Sequence, residues 1–339
     1  MERPNLSGAS DDVRAYIEYL EKQLLGEGQR RSAESRADLE PSEPETTLNI
    51  ITVTADGNAK RTPRHLYARQ RRAGMGVFDI ETPEDAPPVI MCQADASADV
   101  LVITEEGRIF RVPVASIRQT DVRGRGAPLG DLVALNTYEK VVALLAADEG
   151  LYVNLISERG RVRHVRKTYL SPSMTQGIRY HKVSEGGYVT GACWSSGNDD
   201  LLIATRNGLG IRFSEKQVPN TGVLGMRVDP SDRTISITAT SEAGGVALVG
   251  HDGKGTVRLM SGLRKNKAPG AGGKVLLKTE KLIGAEAVAA GDDLFIISQL
   301  SKVIRFSADE IPPKTGTVQG VNLMSLRSDE VTGMVVSRQ

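Results

Sequence analysis

Apolar runs and polar turns alternate along this chain with a period of about fifty residues, and the period recurs six times. Each copy opens with a short run of Val, Ile and Leu and makes a tight turn. It then sets an Arg or His about four residues past the turn and closes on a second glycine. The turn positions are Gly57, Gly107, Gly160, Gly208, Gly253 and Ser301, and the second glycines are Gly76, Gly126, Gly177, Gly225, Gly273 and Gly320. The first runs, Ile50–Thr54, Val100–Thr104, Leu151–Ser157, Leu201–Thr205, Val246–Gly250 and Leu294–Ser298, are mostly apolar throughout rather than at alternate positions. That pattern belongs to strands buried on both faces, and it marks these as the inner strands. Asp56-Gly57, Glu106-Gly107, Asn207-Gly208 and Asp252-Gly253 are hairpin signals, glycine supplying the positive φ such turns need. Second strands follow at Ile109–Val112, Val162–Val165, Ile211–Phe213, Val257–Met260 and Val303–Phe306. A Gly/Pro-rich connection then leads to a further strand, as at Val89–Gln93 and Val141–Ala146. Six copies of about four strands each predict an all-β disc of six blades, a β-propeller, over residues 47–339; radial closure leaves only short, protected sheet edges.

Residues 1–46 read differently. Ser10 is an N-cap, with Asp11 and Asp12 in the first turn, and Val13, Ile17, Leu20 and Leu24 form one apolar stripe that Gly26 and Gly28 end. The expectation is a short helix over about residues 10–25, either docked on the body or pairing with a second copy, then a flexible acidic linker to residue 46.

Composition changes this picture little. Forty per cent of the 339 residues are apolar but only 4% aromatic, so the core is expected to be aliphatic and β-branched. Cys92 and Cys193 are far apart, no apolar leader resembles a signal peptide, and no run is long enough to span a membrane. A cytoplasmic protein without membrane association is expected. The net charge of +1 hides an asymmetry: residues 1–46 hold 6 basic and 11 acidic side chains, leaving a basic body behind an acidic leader.

Candidate chemistry is arginine-rich and catalytically empty. His65, His164, His181 and His251 fall in four different repeats, and no nucleophile elbow or phosphate-binding loop in a strand-to-helix setting occurs, so neither metal nor cofactor is expected. The recurring position after the turn holds Arg61, Arg111, His164, Arg212, Arg258 and Arg305, read as pairing within each blade. Denser clusters lie in the connections. One holds Lys60, Arg61, Arg64, Arg69, Arg71 and Arg72; a second, Arg118, Arg123 and Arg125; a third, Arg159, Arg161, Arg163, Arg166 and Lys167, with Arg179 beyond; a fourth, Arg264, Lys265 and Lys267 followed by Lys274 and Lys278. On a closed disc, corresponding segments reach one rim, and a basic rim is an electrostatic footprint for a nucleic-acid backbone. The first cluster ends in Gln70-Arg71-Arg72-Ala73-Gly74-Met75-Gly76. There Gly74 and Gly76 permit close backbone approach, and the guanidinium forks suit phosphate oxygens.

This segment, together with LLIATRNGLGIR at Leu201–Arg212 and NTGVLGMRV at Asn220–Val228, resembles the C-terminal domain of the gyrase A protein, part of DNA gyrase, over about residues 47–335. The family's hallmark box reads Gln-Arg-Arg-Gly-Gly-Lys-Gly, and Gln70–Gly76 departs from it at Ala73 and Met75. The resemblance implies a β-pinwheel that wraps double-stranded DNA, nucleoid association, and gyrase or topoisomerase IV subunits as partners. It also implies no bond-breaking by this chain, since gyrase A proteins carry their catalytic tyrosine in a cleavage domain ahead of this region and 46 residues precede the first blade here. The alternative reading is a protein-interaction propeller that has kept the fold and lost DNA wrapping.

Overall fold

A computed structural model describes residues 43–171 and 174–338; the helix expected over residues 10–25, the possible self-association through it, and all but the end of the acidic linker lie outside the described residues. The remainder is a ring of six four- to five-stranded sheets, and among the described residues the helical elements are short 3-10 turns and Val183–Gly186.

Blade 1 shows how the sequence builds each unit. Leu48–Thr54 pairs antiparallel with Asn58–Pro63 across the Asp56-Gly57 turn, and with Pro88–Asp95 on its other side. The order outward from the axis is Pro88–Asp95, Leu48–Thr54, Asn58–Pro63, then Ala127–Pro128. The run expected to be innermost is therefore second from the axis. Its continuous apolarity has a different cause: alternate residues pack on different neighbouring blades. Ile50 joins Phe295 and Ile297 of blade 6, whereas Ile51 and Val53 join Val100, Val102 and Phe110 of blade 2. Each such fully buried side chain contributes about 1.5–3 kcal/mol. The true innermost strands, including Val141–Ala146, Val189–Ser195 and Val331–Ser337, line a central channel that carries Gln93, Thr190, Thr238 and Glu286 as well as apolar groups.

The outermost strand of every blade comes from the next repeat. After its second strand the chain makes a 3-10 turn, as at Arg64–Leu66, then climbs the outside of the disc as a strap. The strap of repeat 2 pairs with blade 1 through Ala127–Pro128, that of repeat 3 with blade 2 through Ile178–Arg179, and so on round the ring. The ring closes where the strap of repeat 1 pairs Val77 and Phe78 with Val303 and Lys302 of blade 6. Gly76 allows the closure: its φ is +72°, and a Cβ there would stand 2.6 Å from Val303 O.

Candidate nucleic-acid interface

The strap topology decides where charge goes. Hairpin turns and the loops entering each innermost strand lie on one flat side of the disc, and the loops leaving that strand lie on the other; both sets are rich in acids such as Asp56, Glu106 and Asp232, or Asp148, Asp199 and Glu242. The straps run between the two sides along the outer edge. Across residues 68–78, 118–128, 174–181, 219–228, 264–275 and 312–322 the only acid is Asp121, while every strap carries at least one Arg or Lys. The rim is thus nearly free of carboxylates, whereas the flats carry acids together with cations such as Lys140, Arg159, Arg206 and Arg233. The belt is uneven: straps 1, 2 and 5 are dense, whereas straps 4 and 6 offer Arg227 and Lys314.

Several residues expected at the interface sit elsewhere. Lys60 is fully buried, its Nζ 2.8 Å from Asp79 Oδ1 and donating to Asp79 O at 2.7 Å. Strand alternation turns it inward under the strap, so it meets no ligand. Arg64 is likewise buried, donating from Nε and Nη2 to the two carboxylate oxygens of Glu43 at 2.9 and 3.1 Å. Half-buried Arg61 caps Ile117 O through Nε at 3.0 Å and reaches Asn49 Oδ1. Its bond to Ile117 O crosses to the next repeat, so the within-blade reading holds for it only toward Asn49. Arg212 pairs with Asp200 and Glu242; Arg305 pairs with Asp293 and Glu43; His164 packs against Tyr152 with ring centroids 4.0 Å apart and planes tilted by 58°.

The rest reach the surface in varying degrees. In the box, Gln70 N–H donates to Arg305 O at 2.7 Å, Arg72 Nη1 donates to Asn322 O at 3.1 Å, and Arg69 pairs with Asp293 at 2.8 Å. Gly74 and Gly76 face blade 6, and Arg71 projects exposed. Arg118, Arg123 and Arg125 are exposed on strap 2. Exposed carboxylates lie beside Arg161 (Glu185, 3.7 Å) and Lys167 (Asp148, 3.2 Å), and Arg179 is paired with Glu106. Arg163 donates to Thr221 O, and exposed Arg166 lies over the Tyr152 ring. On strap 5, Lys265 reaches Asp200 at 3.2 Å, while Arg264, Lys267 and Lys274 are exposed. Such exposed pairs are worth little and exchange readily for a phosphate. Sequence reasoning missed Arg227. The signal was there: it falls two residues past its strap's second glycine, the register of Arg179.

Among the described residues no group of three or more His, Cys, Asp or Glu side chains could hold a metal, and no helix is long and apolar enough to cross a membrane. Burial pushes both thiols, Cys92 and Cys193, far above their ordinary range, so neither is a nucleophile.

A family model described as the DNA gyrase C-terminal domain, beta-propeller, matches residues 48–86, 98–148, 199–241 and 292–337. The DNA gyrase A protein of Metamycoplasma arthritidis (strain 158L3-1) is 26% identical over 352 residues, which cover 98% of this chain and 39% of that protein. That of Mycobacterium bovis (strain BCG / Pasteur 1173P2) is 28% identical over 293 residues, covering 82% and 35%. The chain therefore spans little more than a third of the length of these curated relatives. A solved DNA gyrase A C-terminal domain superposes with a TM-score of 0.76 at 19% identity, covering 86% of this chain and 100% of that one. The C-terminal domain of DNA topoisomerase IV gives 0.60 at 17% identity, with 87% and 94% covered. These two share the fold.

Proposed function

The chain belongs to the DNA gyrase C-terminal domain family, and we propose that it binds duplex DNA and bends it around its basic rim without breaking it. The observation that carries this is the charge segregation: straps with Asp121 as their one acid, set between two acid-rich flats. A duplex laid on the edge meets cations with a single opposing carboxylate, whereas on the faces it meets many. Affinity comes from phosphate neutralisation, with no base readout. Bending 20–30 base pairs strongly costs about 1–6 kcal/mol, which the phosphate contacts offset. Strand cleavage belongs, in this reading, to gyrase or topoisomerase IV subunits acting with it.

Ligation of nicked plasmid in the presence of the protein tests wrapping directly. The expected result is a shift in linking number that vanishes as salt rises, and a log–log salt slope of about −0.9 per phosphate engaged. A slope near zero with no topological shift refutes the proposal. A second reading, a propeller that binds proteins instead, draws on Met75 at the box's cationic position and on Arg72 being spent on Asn322 O. It predicts that same null result.

A further inference from the structure

Strap 2 repeats the backbone of the box hydrogen bond for hydrogen bond. Gln70 N–H donates to Arg305 O at 2.7 Å; Thr120 N–H donates to Arg61 O, at the same place in blade 1, at 3.0 Å. Ala73 N–H reaches Leu323 O at 2.6 Å, three residues past that strap's second glycine; Arg123 N–H reaches Asp79 O, also three past, at 2.7 Å. Gly74 N–H turns back to Arg71 O, and Gly124 N–H to Asp121 O. Gly74 bridges Met324, and Gly124 pairs with Ile80, each four past the neighbouring glycine. The fourth residue is left-handed in both loops, with φ of 66° at Ala73 and 73° at Arg123. Thr120–Gly126 is thus the box fold with a different sequence.

The substitutions between the two loops matter. Arg125 stands where the box has Met75, and Arg123 where it has Ala73. A left-handed non-glycine costs about 1–2 kcal/mol, and both loops carry that cost at their fourth residue, Arg123 here and Ala73 in the box. Arg118 and Arg125 are exposed and enter no ion pair among the described residues. At the box, by contrast, Arg69 just before it is paired with Asp293, Arg72 is bonded to Asn322 O and Met75 carries no charge. Among the described residues Arg71 is the box arginine that enters no ion pair or side-chain hydrogen bond.

We propose that Thr120–Gly126, with Arg118 before it, is a second box-type site for duplex-DNA backbone phosphates, and that it anchors the duplex more strongly than Gln70–Gly76. This rests on the DNA-binding reading above. Two carboxylates oppose it: Asp121, where the box has Arg71, and Glu81, which faces Arg125 in the short parallel pairing. They set its affinity below what three arginines alone would give.

The test compares the intact chain with three variants on a short random-sequence duplex, reading dissociation constant, salt slope and thermal midpoint. Arg118→Ala/Arg125→Ala should weaken binding about tenfold or more and reduce the salt slope by about 1.8, for two phosphates released, with the midpoint unchanged. Arg71→Ala/Arg72→Ala should reduce the slope by only about 0.9. Asp121→Asn should tighten binding. The proposal is overturned if the strap 2 pair binds within about twofold of the parent at unchanged slope while the box pair loses binding. A parent chain that binds no DNA would instead overturn the underlying reading as well, so the two failures are separable.

Discussion

Replacing Lys60 with Met separates support of the fold from contact with a ligand. Both partners of the Lys60–Asp79 pair are fully inaccessible, and the pair is a hub: Asp79 also accepts from Tyr67 Oη at 2.7 Å and from Thr52 Oγ1 at 3.1 Å. Burial pushes the Lys60 ammonium below its ordinary range, and Asp79 opposes that push. Removing one member of a buried pair costs about 3–5 kcal/mol, because the other charge is stranded. Two hydroxyl donors stay on Asp79, so the lower end, about 3 kcal/mol, is expected for K60M. With a urea slope of about 3 kcal/mol/M, the unfolding midpoint should fall by about 1 M. The double variant K60M/D79N, which leaves no charge behind, should recover most of the loss. Asp79 O also receives Arg123 N–H, so binding can weaken as strap 2 loosens, but a side chain that touches no phosphate leaves the salt slope where it was. A K60M chain as stable as the parent, with a salt slope reduced by about 0.9, would refute this reasoning and return Lys60 to the interface.

Two further perturbations follow from the closure and the channel. Glu43 joins Arg64 to Arg305 across the blade 1–blade 6 seam. Burial raises its carboxyl, but the hydrogen bonds and charges of Arg305 and Arg64 outweigh that and hold it below the ordinary range, so its contribution is lost as pH falls. E43Q should cost about 1–3 kcal/mol at neutral pH and speed hydrogen exchange at the Val303 and Val77 amides, with unchanged exchange counting against a role in closure. Glu286 faces the channel, where burial pushes its carboxyl up to about 7, helped by Glu149 and Asp292 and opposed by the Val336 N–H and Arg338. A raised carboxylate holds its proton longer in the folded state, so this group costs stability as pH rises from about 4.3 through 7. E286Q should flatten that part of the midpoint–pH curve and stabilise the protein at pH above 7; a parallel pair of curves would contradict the assignment.

Much of this molecule was legible without coordinates because its information is local and periodic. Hairpin glycines need a positive φ, a strand packed between two blades needs apolar residues at successive positions, and six copies must close a ring. The order of strands about the axis was not legible. Leu48–Thr54 reads as innermost because it is the most apolar, yet burial by two lateral neighbours and burial at an axis leave the same trace in a sequence. The within-blade reading of the recurring arginines held at Arg212 and Arg305, since an Asp at the start of the facing strand lies within their reach.

The sequence by itself determined six β units, an aliphatic core, and basic residues concentrated between the second strand and the second glycine of repeats 1, 2 and 5. Only the tertiary structure decided which of those cations face outward. Lys60 and Arg64 turn inward onto Asp79 and Glu43, 19 and 21 residues away; Arg72 binds Asn322, 250 residues away, across the contact that closes the ring; and Arg125 is set outward by strap 2 lying against blade 1. Composition fixes how many charges a segment carries. Side-chain direction, and the neighbour that neutralises each charge, are set by strand pairing across those separations.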